Sequence, residues 1–294
     1  MKLSPRMKKI LVLVLVIGII SVASGCAIPR DADGHIVEIT STTTFKDIMS
    51  TENWFSAIFV WPLAQLINAI APMVGVGGAI ALVTIIVNGI LAAATFKSTV
   101  AQQKMQLVQP ELERIQRKYE GRNDQNAKVR QAQEMQALYN KYDINPGGMM
   151  LVMFLQFPII MAMYMSVQRS SAVQHGTFLG MNLQTTPLAG FQSGQYGYIV
   201  LFVVMVLCQF ISTKIPQWLA DKKAKEEAAK HHRKPQETGA SQKMMQYYMI
   251  FMIAAFGLMW PAAMSLYWAI NSLVNIVKTL LVQKMIDKQK GFSK

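Results

Sequence analysis

The sequence predicts an all-α polytopic membrane protein with five transmembrane helices, a cytoplasmic helical hairpin and an interfacial amphipathic helix. Three observations lead there. Of the 294 residues, 52% are hydrophobic and only 15% charged, and the charges are segregated, leaving long stretches almost free of them. Five of those stretches are long enough to cross most of a hydrocarbon core of about 30 Å, at about 1.5 Å per residue. Between the first two lies a charged insert of helical pattern, residues 97–145. A net charge of +13 speaks less for a specific nucleic-acid sequence than for basic loops kept on the cytoplasmic side, near anionic lipid or an acidic partner.

Residues 1–25 read as a signal peptide, to be left out of the mature fold. Lys8 and Lys9 precede the apolar run 10–22, and Ala23-Ser24-Gly25-Cys26 follows. This resembles a bacterial lipoprotein signal, in which small residues fit the peptidase site and the Cys26 thiol receives a diacylglyceryl group. Ala23 stands where leucine is usual. The competing reading is a first span with an incidental cysteine, for which the run is short. With Cys26 lipidated, Cys208 is the one cysteine left, which excludes an internal disulfide.

Residues 26–52 form a polar extracytoplasmic segment. In 53–72, Phe55, Ile58, Phe59, Leu63, Leu66, Ile67 and Ile70 recur at helical spacing with Trp54 and Trp61 among them, as in a helix lying along the interface. A short packed helix in an extracellular cap fits the same pattern.

The five spans are 75–96, 149–167, 198–215, 244–259 and 262–285, the last two linked by a turn at Trp260-Pro261. Lys plus Arg number nine in 97–143, eight in 214–243 and five in 278–294, against two in 27–74 and one in 166–197. The positive-inside rule therefore puts the N-terminus and loop 168–197 outside, and the insert, the basic loop 216–243 and the tail 286–294 inside. An odd number of spans without a visible internal repeat argues against the paired-repeat design of most secondary transporters.

In the insert, Met105, Val108, Leu112, Ile115 and Tyr119 alternate steps of three and four, and Met135, Leu138 and Tyr142 continue the spacing after Gly121-Arg122-Asn123-Asp124. Two antiparallel helices joined by a short turn fit. Glu113 and Arg117 support the first helix on its wet face, and Asn145-Pro146-Gly147-Gly148 ends the second. The seam is narrow, so the hairpin is expected to bury little and to move about its membrane attachment.

Polar residues at mid-span must face a cavity or a partner rather than lipid. Asn88 is near the centre of the first span, with Thr84 one turn away, and Gln156 is near the centre of the second. Asn271 and Asn275 lie one turn apart in the last span, with Trp268 on the same face, and Ser212 and Thr213 are weaker candidates in the third. Each could instead make an interhelical hydrogen bond that fastens the bundle, worth about 0.6 kcal/mol. Their shared depth favours one polar chamber.

Three long segments carry a resemblance. KMQLVQPELERIQRKY, NPGGMMLVMFLQFPIIMAMY and FGLMWPAAMSLYWAINSLVNIVKT are similar to the YidC family of membrane protein insertases, and the likeness runs over residues 54–285 in the same order of parts. The resemblance implies a five-helix bundle whose water-filled groove is open to the cytosol and to lipid and closed on the outer side. It implies a membrane protein insertase and membrane chaperone, not an enzyme, needing no cofactor or nucleotide. Nascent membrane proteins are the implied clients, with the ribosome and targeting components, the Sec translocon and membrane lipids as partners. A client's short hydrophilic segment would enter the groove at Asn88, Gln156, Trp268, Ser212, Thr213 and Asn271, while its apolar span slides into lipid.

One position departs from that family. Aligned back from the Gln109-Pro110-Glu111 motif, Asn88 stands where the family has a groove arginine that attracts acidic client segments. Asparagine keeps the hydrogen bonds and drops the charge. The alternative function is a small-solute channel or transporter using the same polar residues. A catalytic reading finds no support, because His35, His175, His231 and His232 lie in flanks or loops without a nucleophile–base pair or metal-ligand spacing.

Overall fold

The computed structural model describes residues 28–122, 124–230 and 240–291. The signal peptide, Cys26 with its lipidation, and His231 and His232 lie outside the described residues. Within them the chain is mostly helical and forms two compact units: residues up to 83 with 155–184, and 84–154 with 185–294.

The first unit starts at a polar turn where Arg30 bridges to Ile36 and the Asp31 side chain accepts the backbone N–H groups of Asp33 and His35. Helix α1, Phe45–Thr51, begins with a capping box: the Thr44 hydroxyl accepts the Asp47 N–H at 3.2 Å, and the Asp47 carboxylate accepts the Thr44 N–H at 2.8 Å. Those bonds to Thr44, the backbone one first, hold the Asp47 carboxyl below its usual range. A π-turn at Ser56–Val60 leads into α2, Trp61–Ala94. Gly75 breaks α2 with φ 75° and ψ 165°, a conformation only glycine adopts cheaply, three residues after Pro72. Gly75 is the first residue of the expected span 75–96, and a single apolar stretch, Ser56–Ala94, runs across it.

Helix α5, Pro146–Arg169, is followed by α6, Ser171–His175, and a two-stranded antiparallel ribbon of β1, Thr177–Phe178, and β2, Met181–Asn182. The ribbon turns through Leu179 and Gly180, both at positive φ. Phe178 packs so closely over Gly77 that a Cβ there would lie 2.1 Å from its ring. The unit's core joins Ile39, Ile48, Phe55, Val60, Ala64 and Met165.

The first unit also buries a polar clamp. Arg169 is fully buried; its Nη1 and Nη2 donate to the two Glu52 carboxylate oxygens at 2.8 and 2.5 Å, and its Nε donates to the Val37 carbonyl at 2.8 Å. Beside it, Asn68 donates to the Ile39 carbonyl and accepts from the Ser170 hydroxyl and the Ala172 N–H. Gln65 and Trp61 donate to the Thr43 carbonyl. Segment 37–52 is thereby sewn to α2 and to the end of α5 by satisfied polar groups, the condition under which burying them is tolerated.

The second unit holds α3, Phe96–Lys118; α4, Gln125–Lys141; α7, Pro187–Gln192; α8, Gly197–Lys230; α9, Ala240–Met259; and α10, Ala262–Gly291. Helix α8 packs chiefly on α10, and α3 packs on both. Gly190 lets the ring of Tyr198 lie against α7, and Gly257 admits the Met205 side chain between α8 and α9. Val200, Val203, Leu207 and Ile211 on α8, and Leu273, Val277 and Leu281 on α10, remain exposed. An apolar surface of this kind is stable facing lipid tails. By length and composition, three stretches among the described residues can cross a membrane: Ser56–Ala94, Gly197–Lys223 and Ala262–Lys288. Gln246–Met259 is a shorter apolar helix.

The basic segment 216–243 is helical to Lys230 and again from Ala240, and α10 runs on past the expected span 262–285 to Gly291. Alanine, lysine and glutamate dominate 219–230, and these residues lose little side-chain freedom in a helix. The charged helix α3 is tied to α10 at its base. Thr99, Ala101 and Gln103 are buried at its base, and Gln103 Nε2 donates to Gln283 Oε1 at 2.8 Å and to the Thr279 carbonyl at 3.2 Å on α10.

Candidate functional site

Asn88 is buried on α2, and its Nδ2 donates back to the Thr84 carbonyl at 2.9 Å, one turn earlier on the same helix. On α10, Trp268 is buried and stacks on Trp260, with ring centroids 5.3 Å apart and planes 14° from parallel; Phe256 continues the aromatic group at 5.4 Å from Trp260. Asn271 lies three residues beyond Trp268, and its Oδ1 is buried without a hydrogen-bond donor among the described residues. Such an acceptor is costly in a dry interior and is satisfied where water or a polar ligand reaches it.

Ser212 and Thr213 are half-buried on α8, and the Thr213 hydroxyl donates to the Gln209 carbonyl of its own helix at 2.9 Å. Gln156, half-buried, belongs to the first unit. None of the six expected groove residues hydrogen-bonds to another among the described residues. The α8–α10 contact is fastened by a pair that sequence reasoning missed: the fully buried Ser272 hydroxyl donates to Gln209 Oε1 at 2.7 Å. Gln209 was visible as a polar residue inside the apolar run 198–215, but its partner lies 63 positions away.

Helices α3 and α4 pack through Val108, Leu112, Leu138 and Ile144, flanked by Met105, Ile115, Met135, Tyr139 and Tyr142. Polar contacts close both ends of this seam. Glu134 accepts from Lys118 at 2.5 Å and from the Tyr119 hydroxyl at 2.8 Å; Glu111 accepts from the Tyr142 hydroxyl at 2.6 Å. Contacts of 118 and 119 with 134, and of 111 with 142, require the two helices to run antiparallel. The hydrogen bond from Lys118, and then that from Tyr119, holds the Glu134 carboxyl below its usual range, and the same bond from Glu134 raises the Lys118 ammonium. Glu113 and Arg117 do pair, at 3.5 Å, but Glu113 is largely buried rather than on a wet face.

Among the described residues, one grouping has metal-ligand proximity: the exposed Asp31, Asp33 and His35, within 4.8 Å of one another. The turn's own N–H groups already occupy Asp31 Oδ1.

Comparison with known proteins places this architecture. The 60Kd inner membrane protein family matches over residues 68–289. The chain is 31% identical over 279 residues to a Bacillus anthracis protein named "Membrane protein insertase YidC 2", covering 94% of each chain. It is 28% identical over 285 residues to a protein of the same name from Listeria innocua, covering 96% of this chain and 86% of that one. It is 29% identical over 227 residues to "Membrane protein insertase MisCA" of Bacillus subtilis, covering 76% of this chain and 77% of the other. The chain belongs to the 60Kd inner membrane protein family, as a YidC-type multi-pass protein of the cell membrane.

Proposed function

We propose that this protein is a membrane protein insertase and membrane chaperone working through a hydrated groove without cofactor or nucleotide. The relatives' names supply the activity. The observation in this chain that carries the mechanism is the mid-span polar face of α10, where Asn271, one turn from Trp268, keeps a buried acceptor with no donor among the described residues. A nascent chain's short polar segment would exchange water for Asn88, Asn271, Ser212, Thr213 and the Trp268 face; Gln156, on α5, is proposed as a separate client contact. Its apolar span would pass into lipid beside the exposed faces of α8 and α10. Partitioning of that span supplies the drive, and the cost of carrying polar groups through hydrocarbon is avoided.

The same reading has five spans, with residues 149–167 of α5 and 244–259 of α9 completing the set, and the charged helices α3 and α4 forming a cytoplasmic hairpin that receives clients. Ribosome, targeting components and the Sec translocon would meet the basic helix ends. Cys26, outside the described residues, would carry the lipid anchor outside.

Photocrosslinkers at Asn88 and Gln156 test groove and client together. A stalled nascent membrane protein is expected to crosslink from both positions, and a depletion strain is expected to regain insertion of small membrane proteins. Absence of both at normal membrane levels would sink the proposal.

A further inference from the structure

Lys278 is an ionisable residue inside the α10 stretch Ala262–Lys288, about 24 Å along the helix from Ala262 by helical rise. Asn271, Asn275 and Lys278 follow one another at steps of four and three, so they share one face, and all three are half-buried. Buried Trp268 and Val282 border that face; exposed Leu273, Val277 and Leu281 lie on another.

Among the described residues the ammonium has no partner of its own. Lys278 makes no ion pair or hydrogen bond with any described residue. The acid of α10 and two of α3 are engaged elsewhere: Asp287 takes Lys223 and Gln283, Glu113 takes Arg117, and Glu111 takes Lys141 and Tyr142. Immediately after Lys278, the Thr279 carbonyl receives the Gln103 side chain, so the base of α3 is fastened to α10 at the level of this charge.

An unpaired cation in a spanning helix persists where it faces water, and its natural complement is an anion that arrives from outside the protein. We propose that the Lys278 ammonium is a specificity-determining cation, attracting the carboxylates of a client's acidic polar segment along the inner half of α10. This rests on the insertase reading above. The alternative, a side chain reaching to a lipid phosphate, would give the charge no role in client choice.

The test uses one client in two versions, its translocated segment carrying either Asp and Glu or the matching Asn and Gln. Insertion is read per molecule of membrane-resident protein in proteoliposomes. In wild type the acidic-to-neutral ratio sets the reference. A unit pair at about 4 Å in a water-filled site reads as about a fivefold effect. K278Q and K278M are each expected to lower the ratio about fivefold, K278R to restore it, and K278E to lower it further. A ratio unchanged in K278Q and K278M overturns the proposal and assigns Lys278 to lipid. Failure of wild type to insert either client would instead defeat the insertase reading.

Discussion

Arg169 is the residue on which the first unit most depends. Its guanidinium meets the Glu52 carboxylate in a bidentate pair with no exposure of its own side chain, and the third donor satisfies the Val37 carbonyl. A buried pair adds little net stability over a hydrophobic replacement, but removing one partner strands the other charge. R169M is therefore expected to cost about 3–5 kcal/mol, read as loss of thermal stability in detergent, whereas E52Q, which keeps a hydrogen-bonding partner for Arg169, should cost less. Equal stability of R169M and wild type would refute this account. At Asn88 the expectation concerns clients: N88R adds a cation beside Thr84 and should raise insertion of acidic segments relative to neutral ones, whereas an unaltered client profile would retire charge at that position.

At the scale of elements, α3 and α4 hold together by a narrow apolar seam and two exposed carboxylate contacts. Glu134 has its pKa depressed in the fold, so its contribution is present above its unfolded value and is lost as pH falls through the lower folded value. Spin labels on α3 and α4 are expected to report a widening distance distribution on acidification into that range, and E134Q should show the wider distribution already at neutral pH. Excising residues 106–139 behind a short linker removes the seam yet leaves Gln103 bonded to α10; insertion should fall while the remaining helices keep their circular dichroism. Full activity would dismiss the two helices from function. The seam residues were legible because a three-and-four spacing can be read locally. The anchoring of α3 was not, since Gln103 looks like any polar residue of a charged helix and Gln283 lies 180 positions on. The same limit hid Glu52, whose partner was visible only as the single basic residue of 166–197.

For the whole molecule, the number of crossings decides which charged segments share a side. If only Ser56–Ala94, Gly197–Lys223 and Ala262–Lys288 crossed, the chain after Lys223 would lie on the side opposite residues 97–145. Of the eight Lys and Arg in 214–243, five, from Lys225 to Lys243, would then sit outside, against the bias that orients such segments. Adding α5 and the apolar part of α9 returns residues 225–243 to the inner side, with residues 97–145 and the tail, which is why the proposal has five spans. An exposed cysteine separates the two cases. In a C208A background, with the parent chain as control for Cys26, a membrane-impermeant maleimide applied to intact cells should label V37C and spare K128C and E226C until the membrane is opened. The decisive position is Glu226: with three crossings it would be labelled from outside while K128C stayed protected, and with five the two respond together.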